Sequence, residues 1–104
     1  MQVSQYPNWL IRTQRQNYIG QFMNLILKLL KLHGVLALTA TSRSTHYQNI
    51  KQGLMVPPIS QGLQAVAYPE HEIQAIIAAR IAGKSDDEIR TTVADLVKQR
   101  KAVQ

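Results

Sequence analysis

The stretch "TSRSTHYQNIKQG", residues 41–53, is crowded with hydrogen-bond donors and holds no carboxylate. Arg43 can pair bidentately with a guanine edge or clamp a phosphate, and the Gln48 amide suits adenine. Ser44, Thr45 and Tyr47 can donate to phosphate oxygens, and Lys51 suits a phosphate as a point charge. Only Tyr47 and Ile50 are apolar. The chemistry of the stretch is recognition of a polyanion.

Other chemistries find no support. His33, His46 and His71 do not share a helix face at metal-ligand spacing, and there is no cysteine to supply a thiolate. No glycine-rich phosphate loop and no Gly-x-Ser-x-Gly occurs. The serines and threonines lack a paired base. The expectation is a non-enzymatic protein with no cofactor, metal or small-molecule substrate.

The charge distribution points the same way. The chain has 104 residues and a formal net charge of +6. Residues 1–69 contain Arg12, Arg15, Lys28, Lys31, Arg43 and Lys51 and no acid, whereas residues 70–104 hold six bases and six acids. The whole excess therefore precedes Glu70, and a one-signed half attracts nucleic acid or an anionic membrane face. A hydrophobic content of 45 % is globular rather than disordered. The apolar run 19–32 is broken by Lys28 and Lys31, too soon for a span of roughly 20 apolar residues. No membrane partner is expected, and a bacterial cytoplasmic, nucleoid-associated location is.

The elements that must position the donors can be read around them. Residues 1–22 read as an N-terminal arm, or as an over-extended gene start with Met23 as the true first residue. Residues 19–32 have the period of a helix with a basic polar face, whose apolar side is a candidate interface. A short helix over 35–39, a tight turn at Thr39-Ala40-Thr41 and an N-cap at Ser42 lead into a second helix that Gly53 stops. Two helices about such a turn make a helix-turn-helix. Val56-Pro57-Pro58 forbids further helix, and "ISQGLQAVAY" reads as two strands around Gln61-Gly62. Pro69 suits the first turn of the next helix, with Ile73, Ile76, Ile77 and Ile81 as its apolar stripe and Gly83 as its end. "SDDE" at 85–88 is a capping box that opens a C-terminal helix, 85–101. That helix carries Ile89, Val93, Leu96 and Val97 inward, and Lys98, Arg100 and Lys101 at its negative end.

This order is that of a winged helix-turn-helix: mostly α, with a small β-hairpin wing and a C-terminal helix. Its second helix enters the major groove, and its hairpin touches flanking backbone or minor groove. If Ile50 faces the core, then Arg43, Tyr47 and Lys51 face outward, with Ser44 and Gln48 at the border. His46 and Asn49 then fall on the inner face, as a partly buried polar pair.

"GVLALTATSRSTHYQNIKQGL" followed by "QAVAYPEHEIQAIIAARIAGKSDDEIR" resembles the AlpA family of prophage regulatory proteins, over roughly residues 28–102. Its most specific parts are Ser42-Arg43-Ser44-Thr45 with Tyr47, and "AVAYPEHEI". The resemblance implies a MerR- and excisionase-like fold, with a recognition helix over 42–52 and a wing over 59–68. It implies DNA contacts from Ser42, Arg43, Ser44, Thr45, Tyr47, Gln48, Lys51 and the wing residue Gln64. It also implies a mobile-element setting: transcriptional regulation, or bending of attachment-site DNA for excision. Family members often have Gly where Ala40 stands, Leu at His46 and Asn49, and Arg at Gln48. They often have a base at Ser60, Arg at Gln64 and Trp at Tyr68.

The expected partner is double-stranded DNA. It would be bound by a unit spanning 23–104, as a homodimer or cooperative assembly, because one short reading helix covers few base pairs. A reading of another class is a protein-interaction adaptor with a basic face.

Overall fold

The computed structural model describes residues 27–103. Among them the order is β1 (Leu29–Leu30), α1 (Leu32–Thr39), α2 (Arg43–Lys51), β2 (Ile59–Ser60), β3 (Val66–Pro69), α3 (Glu70–Ile81) and α4 (Asp86–Gln99). A 3-10 turn over Arg100–Val103 follows. The architecture is mostly helical with a small antiparallel sheet, compatible with a winged helix-turn-helix.

Local chemistry explains most boundaries. The α1–α2 corner is made at Ala40, which takes the left-handed φ of 57° while Thr41 N–H donates back to the Leu36 carbonyl at 3.3 Å. The Thr39 hydroxyl donates to the Val35 carbonyl and meets the Thr41 hydroxyl at 2.9 Å, which fastens both sides of the turn. α3 closes with a Schellman pair: Lys84 N–H donates to Ala79 O and Gly83 N–H to Arg80 O. α4 opens with the expected capping box, in which Ser85 and Glu88 exchange side-chain and backbone bonds.

The core gathers residues from every part of the described chain. Val35, Tyr68, Ile73, Ile76, Ile89, Val93 and Leu96 are buried, together with Leu54, Met55 and Val56 from the segment after α2. Burying a Val, Leu or Ile side chain contributes about 1.5–3 kcal/mol. α2 gives this core only a half-buried Ile50, so Leu54-Met55-Val56 supplies the hold that α2 lacks.

Four expectations are corrected. The N-terminal arm over 1–22 and most of the helix over 19–32 lie outside the described residues. Where that helix overlaps them, Leu29–Leu30 is a strand: Leu29 pairs with Pro69 and Leu30 with Tyr68, and Glu70 N–H donates to Lys28 O. A leucine-rich run suits either state, and the free edge of β3 decides it by offering backbone partners. Leu30 then packs on the core, which removes it from the expected interface.

The hairpin does not turn on Gln61-Gly62. Ser60 pairs with Val66 and Ile59 with Ala67, and residues 61–65 form a longer loop closed by Gln61 N–H to Ala65 O. The register that buries Ala67 and Tyr68 leaves those residues over. Ile81, expected inside, is 82 % exposed at the last position of α3, while Ile77 and Ala79 before it still pack on the core. Arg100, expected at a helix end for its dipole, binds buried Glu72 bidentately and donates to Pro57 O. It thereby closes the C-terminal helix against the start of α3 and the loop before the wing.

Candidate nucleic-acid interface

α2 is a polar helix that its neighbours hold in place. At its start the Ser42 hydroxyl accepts from Thr45 N–H at 3.2 Å and donates to the Thr45 hydroxyl at 3.0 Å. At its end Gly53, with φ 79°, lets Leu54 N–H reach Asn49 O and Gly53 N–H reach Ile50 O. Arg90, from α4, donates its Nε–H to the Gln52 carbonyl at 2.8 Å and also pairs with Asp87. A cation at a helix C-terminus satisfies an orphan carbonyl and complements the dipole.

The middle of α2 is pinned by His46, which is fully buried. Its Nε2 lies 3.0 Å from the hydroxyl of Tyr68 on β3, and the two rings meet edge to face with centroids 5.1 Å apart. The other ring nitrogen, Nδ1, is buried with no hydrogen-bond partner among the described residues. Burial lowers the pKa of His46, which keeps the ring neutral. Burial, and then the neighbouring Tyr47, raise that of Tyr68, which keeps its hydroxyl proton. Two neutral groups therefore share one bond between the helix and the strand that carries the wing.

The expected pairing of His46 with Asn49 is thus corrected. Both fall on the inner side, but Asn49 lines a groove between α1, α2 and α3 with Leu38, Ile77 and Ile81. His46 reaches instead across the sheet to Tyr68.

Ser42, Arg43, Ser44, Thr45, Tyr47, Gln48 and Lys51 are all exposed, and Thr45 also lines the groove beside Asn49. Arg43 and Lys51 make no ion pair among the described residues, whereas Arg80, Arg90 and Arg100 are each paired with a carboxylate. Among the described residues, Arg43 and Lys51 are thus exposed cations that no carboxylate neutralises. Ser42 is partly committed as a cap, while the Thr45 hydroxyl, which accepts from Ser42, keeps its own proton to give. Tyr47 is 48 % exposed and rests its ring against the edge of His46. Gln64 stands apart from this group on the wing loop, exposed and at a positive φ of 58°.

Sequence reasoning missed Tyr68 and Arg90 as residues that position α2. The signal for the first was present: the resemblance leads to Leu at 46 and Trp at 68, and the His and Tyr that stand there instead meet in one hydrogen bond. Arg90 had no local signal, since its carbonyl partner lies 38 positions away.

Residues 28–81 match the family described as "Prophage CP4-57 regulatory protein (AlpA)". The chain is also similar to "Uncharacterized protein ORF88" of Enterobacteria phage P4, at 39 % identity over 57 residues. That similarity covers 55 % of this chain and 65 % of the phage protein, so the match spans under two thirds of the relative's length. No solved structure matches the chain. None of the helices among the described residues is long and apolar enough to cross a membrane.

Proposed function

The chain belongs to the AlpA family of prophage regulatory proteins, and from that premise we propose that it is a non-enzymatic, sequence-specific regulator that binds double-stranded DNA. The observation that carries this reading is the outer face of α2: exposed donors, unpaired Arg43 and Lys51, and no carboxylate. The helix is rigidly mounted by its caps, by His46 and by Arg90, as a major-groove reader must be.

Arg43, near the N-terminal end of α2, reads a guanine edge or fixes a phosphate, and Gln48 reads adenine. Ser42, Ser44, Thr45, Tyr47 and Lys51 set register on the backbone. The wing, with Gln64 near its tip, follows the adjoining groove. The working unit is 23–104, it acts in the bacterial cytoplasm at the nucleoid, and two or more copies occupy repeated half-sites. It controls genes of a prophage or another mobile element.

Footprinting across the protein's own genomic neighbourhood tests this. It should reveal one or more protected sites with regular spacing, and Arg43→Ala should weaken binding there by about 1–3 kcal/mol and relax one base position. Replacing Lys51 with Ala should weaken all duplexes alike and flatten the log–log salt slope by about 0.9. Weak binding of every sequence, unchanged by Arg43→Ala, would favour an adaptor that docks an acidic protein and would refute the DNA-reading role.

A further inference from the structure

The wing is unusual for a DNA-contacting element because it carries no charge. Between Ile59 and Pro69 there is no Lys, Arg, Asp or Glu. Phosphate pairing by charged side chains, the usual source of wing affinity, is closed to it. What it presents instead is Leu63, 98 % exposed at the loop tip, with Val66, 51 % exposed, behind it.

The loop is built to hold that side chain out. Gly62 (φ 119°) and Gln64 (φ 58°) bracket Leu63 with left-handed backbone, and a non-glycine residue adopts that region at a cost. Gln61 N–H closes the loop on Ala65 O, and Gly62 N–H donates to the Ser60 hydroxyl. The base of the wing is tied to α2 through Tyr68 and His46. When α2 sits on DNA, the tip is therefore carried with it as a fixed projection.

An apolar side chain flanked by amides is the composition that enters a minor groove. Leu, Ile, Phe, Met or Pro wedges part a base step, while Gln and Asn meet the acceptors on the groove floor. Resting on the DNA-binding reading above, we infer that Leu63 is such a wedge. It inserts at a pyrimidine–purine step, where unstacking is cheapest, and Gln61 and Gln64 contact the base edges on either side. Sequence preference at the wing then comes from the deformability of that step, and the bound duplex is kinked.

The test uses the full chain and a short duplex that the wild-type chain selects from a random-sequence pool. The duplex carries a dye pair at its ends and 2-aminopurine at each pyrimidine–purine step in turn. Wild type should shorten the end-to-end distance and brighten 2-aminopurine at one step per bound copy. Leu63→Ala should abolish the brightening, restore the end-to-end distance and lower affinity by about tenfold, whereas Leu63→Met should keep all three signals. Because Leu63 touches so little of the protein, circular dichroism should be the same for each variant.

A wild-type chain that binds without brightening any step overturns the wedge and leaves the DNA-binding reading intact. A chain that selects no duplex overturns both. If Leu63→Ala keeps the brightening but lowers the number of copies bound, Leu63 is a contact between copies and the wedge is overturned.

Discussion

The bond between His46 and Tyr68 gives the sharpest prediction about what holds α2. Both residues are essentially excluded from water, at 0 % and 1 % exposure, and their polar atoms lie 3.0 Å apart. Tyr68→Phe deletes one oxygen and keeps the ring contact, so its cost is the lost bond plus a second stranded ring nitrogen on His46. Leaving a buried polar group unpaired costs about 1–3 kcal/mol. His46→Leu strands the Tyr68 hydroxyl instead, at a similar cost. In the double variant neither polar atom remains, and replacing both partners by apolar groups is nearly neutral. The double variant should therefore be more stable than the sum of the two single losses implies, by at least about 1 kcal/mol.

Thermal or urea unfolding of the four proteins measures this cycle. A loss of 1 kcal/mol corresponds to about 4–8 °C in Tm for a domain of this size. Acid supplies an independent readout. Burial lowers the pKa of His46 in the folded state below its ordinary 6.5, so the unfolded chain binds the proton more readily. The stability held by the neutral ring is complete above pH 6.5 and declines as pH falls below it, until the folded pKa is reached. The slope of that decline is at most about 1.4 kcal/mol per pH unit for each such histidine. His71, lowered mainly by burial, adds to the same window. The Glu88 carboxyl, lowered by its bonds to Ser85, acts only below 4.5. His46→Leu should therefore flatten the acid slope just below pH 6.5. Strict additivity in the cycle, or an unchanged slope in that variant, would refute the account of His46 as a buried, neutral latch.

Two further perturbations probe the scaffold. Ala40→Gly should raise stability by about 0.5–1 kcal/mol, read as a higher Tm, because the left-handed corner at φ 57° strains a side chain and suits glycine. Arg100→Ala should lower the urea midpoint by the equivalent of about 3 kcal/mol, since it strands Glu72, which is 1 % exposed, without its bidentate partner. Arg100→Lys should recover only part of that loss, lacking the planar fork. By contrast, Asp87→Asn breaks an exposed pair and should cost less than about 1 kcal/mol.

How much of this could be read beforehand depended on the range of the interactions. Caps and stops are local, and Ser42, Gly53, Gly83 and the Ser85–Glu88 box stand where their residue types put them. The stripe of α4 was legible because Ile89, Val93 and Leu96 repeat at helical spacing. Leu29–Leu30 was misread because two residues carry no alternation, and only the distant edge of β3 makes them a strand. The wing turn was misread for a related reason: Gln61-Gly62 is a good local turn signal, but the register is set by burial of Ala67 and Tyr68. Arg100 was assigned to a dipole that its neighbours suggested, while Glu72 and the Pro57 carbonyl were out of sight in the sequence.

The same distinction explains how so polar a helix can be held still. α2 has almost no apolar face, so packing of its own side chains cannot fix it, and helix propensity alone is marginal over so few residues. Its anchors come from other elements: Tyr68 from the wing strand, Arg90 from α4, and Leu54-Met55-Val56 from the exit segment. None of them uses the outer face, so Arg43, Gln48 and Lys51 stay free. The arrangement also couples α2 to the strand that carries the wing. The wing strand is bonded to the centre of α2 through Tyr68 and His46, so on the DNA-binding reading proposed above a change at position 46 or 68 would alter how the wing and α2 sit on a duplex as well as stability. On that same proposed reading, substitutions at His46 and Tyr68 would therefore shift which DNA is read, although neither side chain reaches the surface.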